Sequence, residues 1–448
     1  MKIGLASSVL AGKIAYFASR ARGFGGTSLP GAVARRLYPN CLRELAGRVP
    51  GGVVLVSGTN GKTTTANMLA GVLRAAGQRV AVNSEGANLI SGVTACLVLR
   101  ACAGGSVNCD CAVLEVDEAT LPAVLEETSP RLLVLTNFSR DQLDRYGEVD
   151  SLVAALKTAL AGRQDVQLVL NADDPLVAYL GVALCSSQTP FYYGLTCERP
   201  RAHQRLLRPS LCPVCSAPLD YGAFYRCRSC SFARPAPQVE GFFMPAGGRK
   251  AICQISYAKN RVRVELKTGG RHNLYNALAA VSAGVLLGVP LEAAAGAVES
   301  FSPVAGRMER FSGGGREVTL ALVKNPAGFN EMLRTLTVRP SAERVVLLAL
   351  NDNVADGRDV SWLWDVDFEE FLAAGGWDGA AVCTGTRAEE AALRLKYAGL
   401  PKESLLVEPC LPKAVGAALQ YEAGEFLFFA TYTALKAVRR QLVRALGR

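Results

Sequence analysis

The stretch Val53-Val54-Leu55-Val56-Ser57-Gly58-Thr59-Asn60-Gly61-Lys62-Thr63-Thr64-Thr65 carries the most specific chemistry in the chain. A β-branched apolar run enters a turn flanked by Gly58 and Gly61, and a helical pattern from Ala66 to Ala76 leaves it. That is the strand–loop–helix setting of a phosphate-binding loop. Backbone N–H groups from Gly58 through Gly61, the positive end of the next helix and the Lys62 ammonium all suit a nucleotide's phosphates. Thr63, followed by Thr64, is placed to put its hydroxyl on a Mg²⁺ ion. Val56 stands where the longer G-x-x-x-x-G-K-[ST] form has its first glycine, so this is the shorter G-x-x-G-K-[ST] version. A turn that binds nothing has no need of Lys-Thr after its second glycine.

Three further groups of residues add chemistry. Glu115, Asp117 and Glu118 close the apolar run Cys111–Val116, and Asn137, Asp141 and Asp144 follow the run Leu132–Thr136. Carboxylates beside a phosphate loop suit Mg²⁺, which takes one or two of them together with phosphate oxygens and water. Read singly, each could instead cap the next helix. Cys212-Pro213-Val214-Cys215 and Cys227-Arg228-Ser229-Cys230 are two C-x-x-C knuckles with eleven residues between them, the spacing of a tetrahedral Zn²⁺ site. No His, Glu or Asp adjoins them, so the expected zinc is structural and its use a docking surface. Asn273 and Asn276 lie one turn apart at the head of an Ala-rich helix, where they either read an adenine edge or cap the helix. Asn351 to Asp365 packs Asp352, Asp356, Asp359 and two of the three Trp behind a buried strand, a position where function concentrates.

Positioning these groups needs a large scaffold. The chain has 448 residues, half of them hydrophobic and a fifth charged, enough for two to three domains with sizeable cores. No apolar run reaches the roughly 18 residues that span a bilayer. Residues 1–50 read as two helical stretches around Gly23–Gly31, the first an amphipathic helix facing the protein or a membrane surface. From Val53 short apolar strands (Val53–Ser57, Val80–Asn83, Cys111–Val116, Leu132–Thr136, Leu168–Asn171) alternate with helices, predicting a parallel sheet. Ile252–Tyr257 and Val262–Leu266 alternate like antiparallel strands. After a linker at Phe301–Arg310, a second α/β alternation runs to the end. The fourteen Cys, ten of them scattered through apolar segments, fit a reducing cytoplasmic setting. The net charge of +10 suits phosphorylated substrates or an anionic membrane surface. No basic block with interleaved aromatics points to nucleic acid.

With these pieces in order the chain resembles the Mur ligase family, ATP-dependent amide-forming enzymes of peptidoglycan synthesis. The resemblance rests on the Gly58–Thr63 loop, Glu115/Glu118, Asn137-x-x-x-Asp141-x-x-Asp144, His272-Asn273-x-x-Asn276-Ala277 and Gly306-Arg307. It covers about residues 50–310 outside the cysteine-bearing insert, and it departs at Gln142, where the family carries His. The cysteine knuckles and the Asp356-Gly357-x-Asp359-x-Ser361-Trp362-x-Trp364-Asp365 segment narrow it to the MurT-type branch, the synthase subunits of lipid II isoglutaminyl synthase. The implied fold is a Mur ligase-like central P-loop domain (51–305) with an inserted four-cysteine zinc ribbon (about 205–235), an N-terminal helical segment (1–50) and a C-terminal Rossmann-like α/β domain (306–448).

The resemblance also implies the chemistry. ATP lies on Gly58–Thr64, Mg²⁺ is held by Thr63 and Glu115 with Glu118 competing, Asn273 and Asn276 face the adenine, and Arg307 and Lys324 face phosphates or ribose. An acyl-phosphate forms on the D-glutamate of lipid II at the inner membrane leaflet, and ammonia attacks it. A glutaminase needs a Cys nucleophile with a His base. The chain has only His203 and His272, so either a partner supplies the ammonia or free ammonia serves; the resemblance implies a GatD-type glutaminase partner, with Asp356, or second Asp359, orienting the partner's catalytic His. The rival expectation is a Mur-type or folylpolyglutamate-type ligase that adds an amino acid. A nucleotide-regulated zinc scaffold without catalysis is a third.

Overall fold

The computed structural model describes residues 4–22, 27–83, 86–102, 104–138, 149–184, 189–196, 211–244, 251–267, 270–302, 308–337, 344–353, 355–373, 375, 377 and 379–446. Asp141, Gln142, Asp144, His203 and Arg307 lie outside the described residues. The described chain forms two compact units, one up to Phe301 and one from Ser302.

The first unit opens with helices α1 (Leu5–Ala21), α2 (Leu29–Leu37) and α3 (Cys41–Ala46). The sequence suggested one helical stretch after the glycines. It breaks because Tyr38 precedes Pro39 and takes an extended backbone, φ −142° and ψ 93°. Next come β1 (Val53–Ser57), α4 (Lys62–Ala75), β2 (Val80–Val82), α5 (Ile90–Arg100), β3 (Cys111–Glu115), α6 (Leu121–Thr128) and β4 (Leu132–Leu135). They are followed by α7 (Val149–Leu160), β5 (Gln167–Asn171), α8 (Pro175–Leu184) and β6 (Phe191–Leu195). The hairpin β7 (Leu219–Tyr221)–β8 (Tyr225–Cys227) stands apart as its own small sheet. Strands β9 (Val239–Met244), β10 (Ala251–Tyr257) and β11 (Asn260–Leu266) lead to helices α9 (Arg271–Leu286) and α10 (Leu291–Ser300).

One nine-stranded sheet organises this unit, in the order β11-β10-β9-β6-β5-β4-β1-β3-β2. From β2 to β9 every pairing is parallel, and β10 and β11 add an antiparallel edge. Strand side chains alternate between faces. Val53 and Leu55 therefore join one core with α1–α3, and Val54 and Val56 join the other with α4, α9 and α10. Both faces are covered, which is why β1 reads as an unbroken apolar run.

The second unit contains β12 (Glu309–Gly313), β13 (Arg316–Leu322), α11 (Pro326–Thr337), β14 (Arg344–Ala349), a 3₁₀ turn at Ser361–Asp365 and α12 (Phe368–Ala373). It ends with β15 (Ala381–Thr384), α13 (Ala388–Tyr397), β16 (Leu405–Val407), α14 (Leu411–Gln420), β17 (Glu425–Ala430) and α15 (Tyr432–Leu446). Its sheet runs β12-β13-β17-β14-β15-β16, parallel except for β12. Glu309 and Arg310, read from sequence as the end of a linker, are the first residues of β12. Arg439 of α15 holds Glu309 through Nε and Nη2 at 2.8–3.0 Å, a partner 130 residues away.

Candidate functional site

The Gly58–Thr65 loop sits at the carboxyl end of the central strand β1, where open α/β sheets bind ligands. Its neighbours leave no room for side chains at the two glycines. Gly58 has φ +123°, and a Cβ there would stand 2.2 Å from Thr136 Oγ1. Gly61 has φ +86°, and its Cβ would stand 2.2 Å from Asn276 Oδ1. Both positions lie in the backbone region glycine alone enters freely. The loop is fixed from outside by the residues after β4. Thr59 N–H donates to the Asn137 carbonyl (2.8 Å), and Asn60 N–H donates to Asn137 Oδ1 (3.0 Å). The Asn60 carbonyl in turn accepts from Thr136 Oγ1 (2.7 Å) and Asn137 Nδ2 (2.9 Å). The β1–β4 register, Ser57 opposite Leu135, is what delivers Thr136 and Asn137 to the loop.

Lys62 is 5% exposed. Its ammonium donates to the carbonyls of Gly58 (2.5 Å) and Thr59 (3.1 Å) and to Glu118 Oε2 (2.8 Å). Burial works to lower the pKa of this amine, but Glu118 and, more weakly, Glu115 and Asp117 outweigh it, so the pKa is raised and the charge is kept. Glu115 is brought beside the loop by the β1–β3 register, which sets it opposite Val56. A side chain not anticipated from sequence fixes its backbone: Asn83 Oδ1 accepts from Glu115 N–H (2.8 Å), and Asn83 Nδ2 donates to the Glu115 carbonyl (2.9 Å). Asn83 was visible only as the end of a strand. Thr63 and Thr64 are buried in the first turn of α4, where Asn67 Nδ2 donates to the Thr63 carbonyl at 2.8 Å.

The structure does bring α9 to the loop. Asn276 Oδ1 accepts from Thr65 Oγ1 (3.2 Å), and Asn276 Nδ2 lies 3.5 Å from Asn273 Oδ1. The amide of Asn276 is thus engaged with the loop helix as well as standing over Gly61. Between these two Asn, Tyr275 donates its hydroxyl to Asp173 Oδ2 (3.0 Å), just past the end of β5. The same oxygen accepts Leu195 N–H (2.7 Å), and Asp173 Oδ1 accepts Arg234 Nε (2.6 Å). Arg234 follows the second cysteine knuckle, donates Nη2 to the Leu195 carbonyl (3.0 Å) and lies 4.0 Å over the Phe224 ring. Asp173 and Arg234 therefore join the cysteine-bearing segment to the sheet end and to α9.

The four thiols of Cys212, Cys215, Cys227 and Cys230 lie within 4.8 Å of one another, the one such cluster among the described residues. Cys212–Cys230 and Cys215–Cys227 are 3.7 and 3.5 Å apart. A tetrahedron of thiolates at about 2.3 Å from Zn²⁺ has edges of about 3.8 Å, so the donor set fits that ion. Val214 N–H and Ser229 N–H donate to Cys212 Sγ (3.4 Å) and Cys227 Sγ (3.3 Å).

In the second unit, Asp356 is 6% exposed. Its carboxylate accepts Thr433 N–H (2.7 Å) and Thr433 Oγ1 (2.5 Å) at the start of α15. Asn351 and Asn353 donate to the same Thr433 hydroxyl, each at 2.9 Å. Asp359 is half-buried and accepts Ser361 N–H at 2.8 Å. Trp364 is half-exposed and packs edge-on against Tyr397. Lys324 is half-buried in the turn between β13 and α11.

A family model of the Mur ligase middle domain matches residues 56–194, and one of the MurT ligase C-terminal domain matches residues 322–435. The chain is 36% identical over 442 residues to the lipid II isoglutaminyl synthase (glutamine-hydrolyzing) subunit MurT of Staphylococcus aureus (strain COL), covering 97% of this chain and 96% of that one. It is 31% identical to the subunit of the same name from Streptococcus pneumoniae (strain ATCC BAA-255 / R6), covering 99% of each. Among solved structures, a pseudomurein peptide ligase type C from Methanothermus fervidus shares the fold with a TM-score of 0.67 and 24% identity, covering 89% of this chain and 80% of that one.

Proposed function

The chain belongs to the Mur ligase family, among its MurT subunits, and on that premise we propose that it is the ligase subunit of a lipid II isoglutaminyl synthase. In this reading it amidates the α-carboxyl of D-glutamate in lipid II at the expense of ATP, with ammonia supplied by a GatD-type glutaminase subunit. The observation that carries the reading is the buried cluster of Lys62, Glu115 and Glu118 at the carboxyl ends of β1 and β3, beneath a loop that tolerates only glycine at two positions.

The residues divide the work as follows. Lys62 neutralises charge on the β- and γ-phosphates while the γ-phosphoryl group passes to a carboxylate oxygen, leaving ADP and an acyl-phosphate. Mg²⁺ supplies further neutralisation when bound. Thr63 and Glu115 would hold it, Glu115 being favoured because Asn83 fixes its backbone while Glu118 pairs with Lys62. Asn273 faces the adenine, and Asn276 joins it there while holding the loop. Lys324 and Arg307 contribute positive charge toward the phosphates or ribose. The ammonia lone pair then attacks the acyl carbon, and phosphate leaves with the C–O electron pair. Asp356, rigidly held by Thr433, is the first candidate to orient the partner's catalytic His, since such a carboxylate must be fixed. Asp359 is the second. The four-cysteine group is read as a structural zinc ribbon, and the setting as the cytoplasm, at the inner leaflet where the substrate lies.

The test is amidation of lipid II by the purified chain with ATP, Mg²⁺ and ammonium, followed by mass spectrometry. Amide formation that disappears in Lys62→Ala supports the reading. Amidation at the wild-type rate in Lys62→Ala sinks it, and incorporation of an amino acid in place of ammonia replaces it with the amino-acid-adding alternative. With the glutaminase subunit present, Asp356→Asn is expected to abolish glutamine hydrolysis while ATP binding survives.

A further inference from the structure

We propose that α1 is a preformed surface anchor that seats the first unit on an anionic bilayer through Leu10, Ile14 and Phe17. These side chains are 60%, 60% and 69% exposed. Their spacing puts them within an arc of about 60° on the helix. Ala18 and Ala21 are exposed with them. Contiguous large apolar side chains left in water mark a binding surface.

The opposite face of α1 keeps the stripe outward. Leu5, Ser8, Val9 and Gly12 are buried, and a Cβ on Gly12 would stand 2.7 Å from the Pro30 carbonyl of α2 and 2.8 Å from Val98 of α5. Lys13 Nζ donates to the Ala101 carbonyl at the end of α5 (2.5 Å). A helix packed this closely cannot roll its apolar side inward.

Charge restricts the occupant to an anionic surface. Residues 1–43 contain seven Lys or Arg and no Asp or Glu, and of the seven Arg35 and Arg43 pair with Glu127 and Glu126 from outside the segment. Arg20 and Arg22 at the end of α1, and Arg36 on α2, are exposed. An apolar stripe beside unopposed basic side chains fits the headgroup region of an anionic membrane, where the apolar groups enter the acyl boundary and the cations meet phosphates. No helix among the described residues is long and apolar enough to cross a membrane, so contact is in the plane of the surface. The choice of a bilayer over an acidic protein rests on the proposed lipid-linked substrate.

The experiment is sedimentation of the full chain with vesicles of phosphatidylglycerol and phosphatidylcholine that contain no lipid II. The chain should bind them at least about tenfold more tightly than phosphatidylcholine alone, and release on raising the salt. Phe17→Ser should weaken binding about tenfold, and Leu10→Ser/Phe17→Ser should abolish it. Arg20→Glu/Arg22→Glu should lose the preference for phosphatidylglycerol. All three variants alter exposed side chains, so their thermal unfolding should match the wild type. The proposal is overturned if the wild-type chain stays in the supernatant at low salt, or if Leu10→Ser/Phe17→Ser binds as the wild type does. It is also overturned if those substitutions only dissolve a dimer or release a protein subunit without changing vesicle binding. Because no lipid II or ATP is present, failure of the amidation reading leaves this result standing, and the reverse holds too.

Discussion

Replacing Arg234 by Met should destabilise the first unit by about 3 kcal/mol, and replacing Asp173 by Ala by about 4 kcal/mol. Arg234 is 7% exposed at the side chain and Asp173 16%, so water screens the pair little. Removing one partner of a buried ion pair costs about 3–5 kcal/mol, because the other charge stays desolvated. Arg234→Met lies at the low end, since Asp173 keeps the Leu195 N–H at 2.7 Å and the Tyr275 hydroxyl at 3.0 Å. Asp173→Ala lies higher: the guanidinium retains the Leu195 carbonyl and the Phe224 ring but no anion. For a unit of this size about 3 kcal/mol corresponds to a fall in Tm of roughly 5 °C. Near-UV circular dichroism melts and urea titration would measure it. The double variant should be less destabilised than the sum of the singles by about 2 kcal/mol, the signature of direct coupling. Because Tyr275 lies between Asn273 and Asn276, Asp173→Ala should also raise KM for ATP more than it lowers kcat. Losses below about 1 kcal/mol in both single variants, or strict additivity in the double, would refute the view that this pair fastens the cysteine-bearing segment to α9.

Three further outcomes follow from the geometry. Gly61→Ala should weaken ATP binding at least about tenfold in calorimetry, since its Cβ meets Asn276 Oδ1 at 2.2 Å with φ at +86°, and adding Asn276→Ala should recover only part because the backbone strain remains. Mass spectrometry under native conditions should find one zinc per chain, and Cys227→Ser should lose it and lower Tm by several degrees. The side-chain bonds from Arg79 to Asp110, with its backbone N–H, pull the Asp110 carboxyl down to about 2. A carboxyl depressed in the folded state stabilises above its unfolded pKa, so this contribution is complete above about pH 4 and is lost as the pH falls toward 2. Asp110→Asn should flatten that limb of the stability profile, less so in high salt because the pair is at the surface.

Local pattern made much of the scaffold legible. The apolar runs at Val53, Cys111 and Leu132 became β1, β3 and β4 because central parallel strands are buried on both faces and admit few polar residues. The antiparallel β10–β11 pair and the second α/β alternation were readable for similar reasons. Strands β6 and β9 and the start of β12 were not foreseen. Strand β6 carries Gly194 and β9 carries Glu240 and Gly241, residues that weaken a strand pattern, and β12 is held by Arg439 from the far end of the unit.

The sequence by itself determined that a glycine-flanked loop joins β1 to α4, that acidic strand ends accompany it and that four Cys stand in metal-binding spacing. Each of these is a short-range pattern, set by residues within one turn or one strand end. Only the tertiary structure decided which partners those residues take. Lys62 pairs with Glu118 across 56 positions, Asn276 reaches Thr65 across 211, and Asp173 gathers Leu195, Arg234 and Tyr275 from three separate segments. Strand order and register choose such partners. A buried charge or amide then takes whatever donor or acceptor the sheet brings within about 3 Å, wherever it lies along the chain.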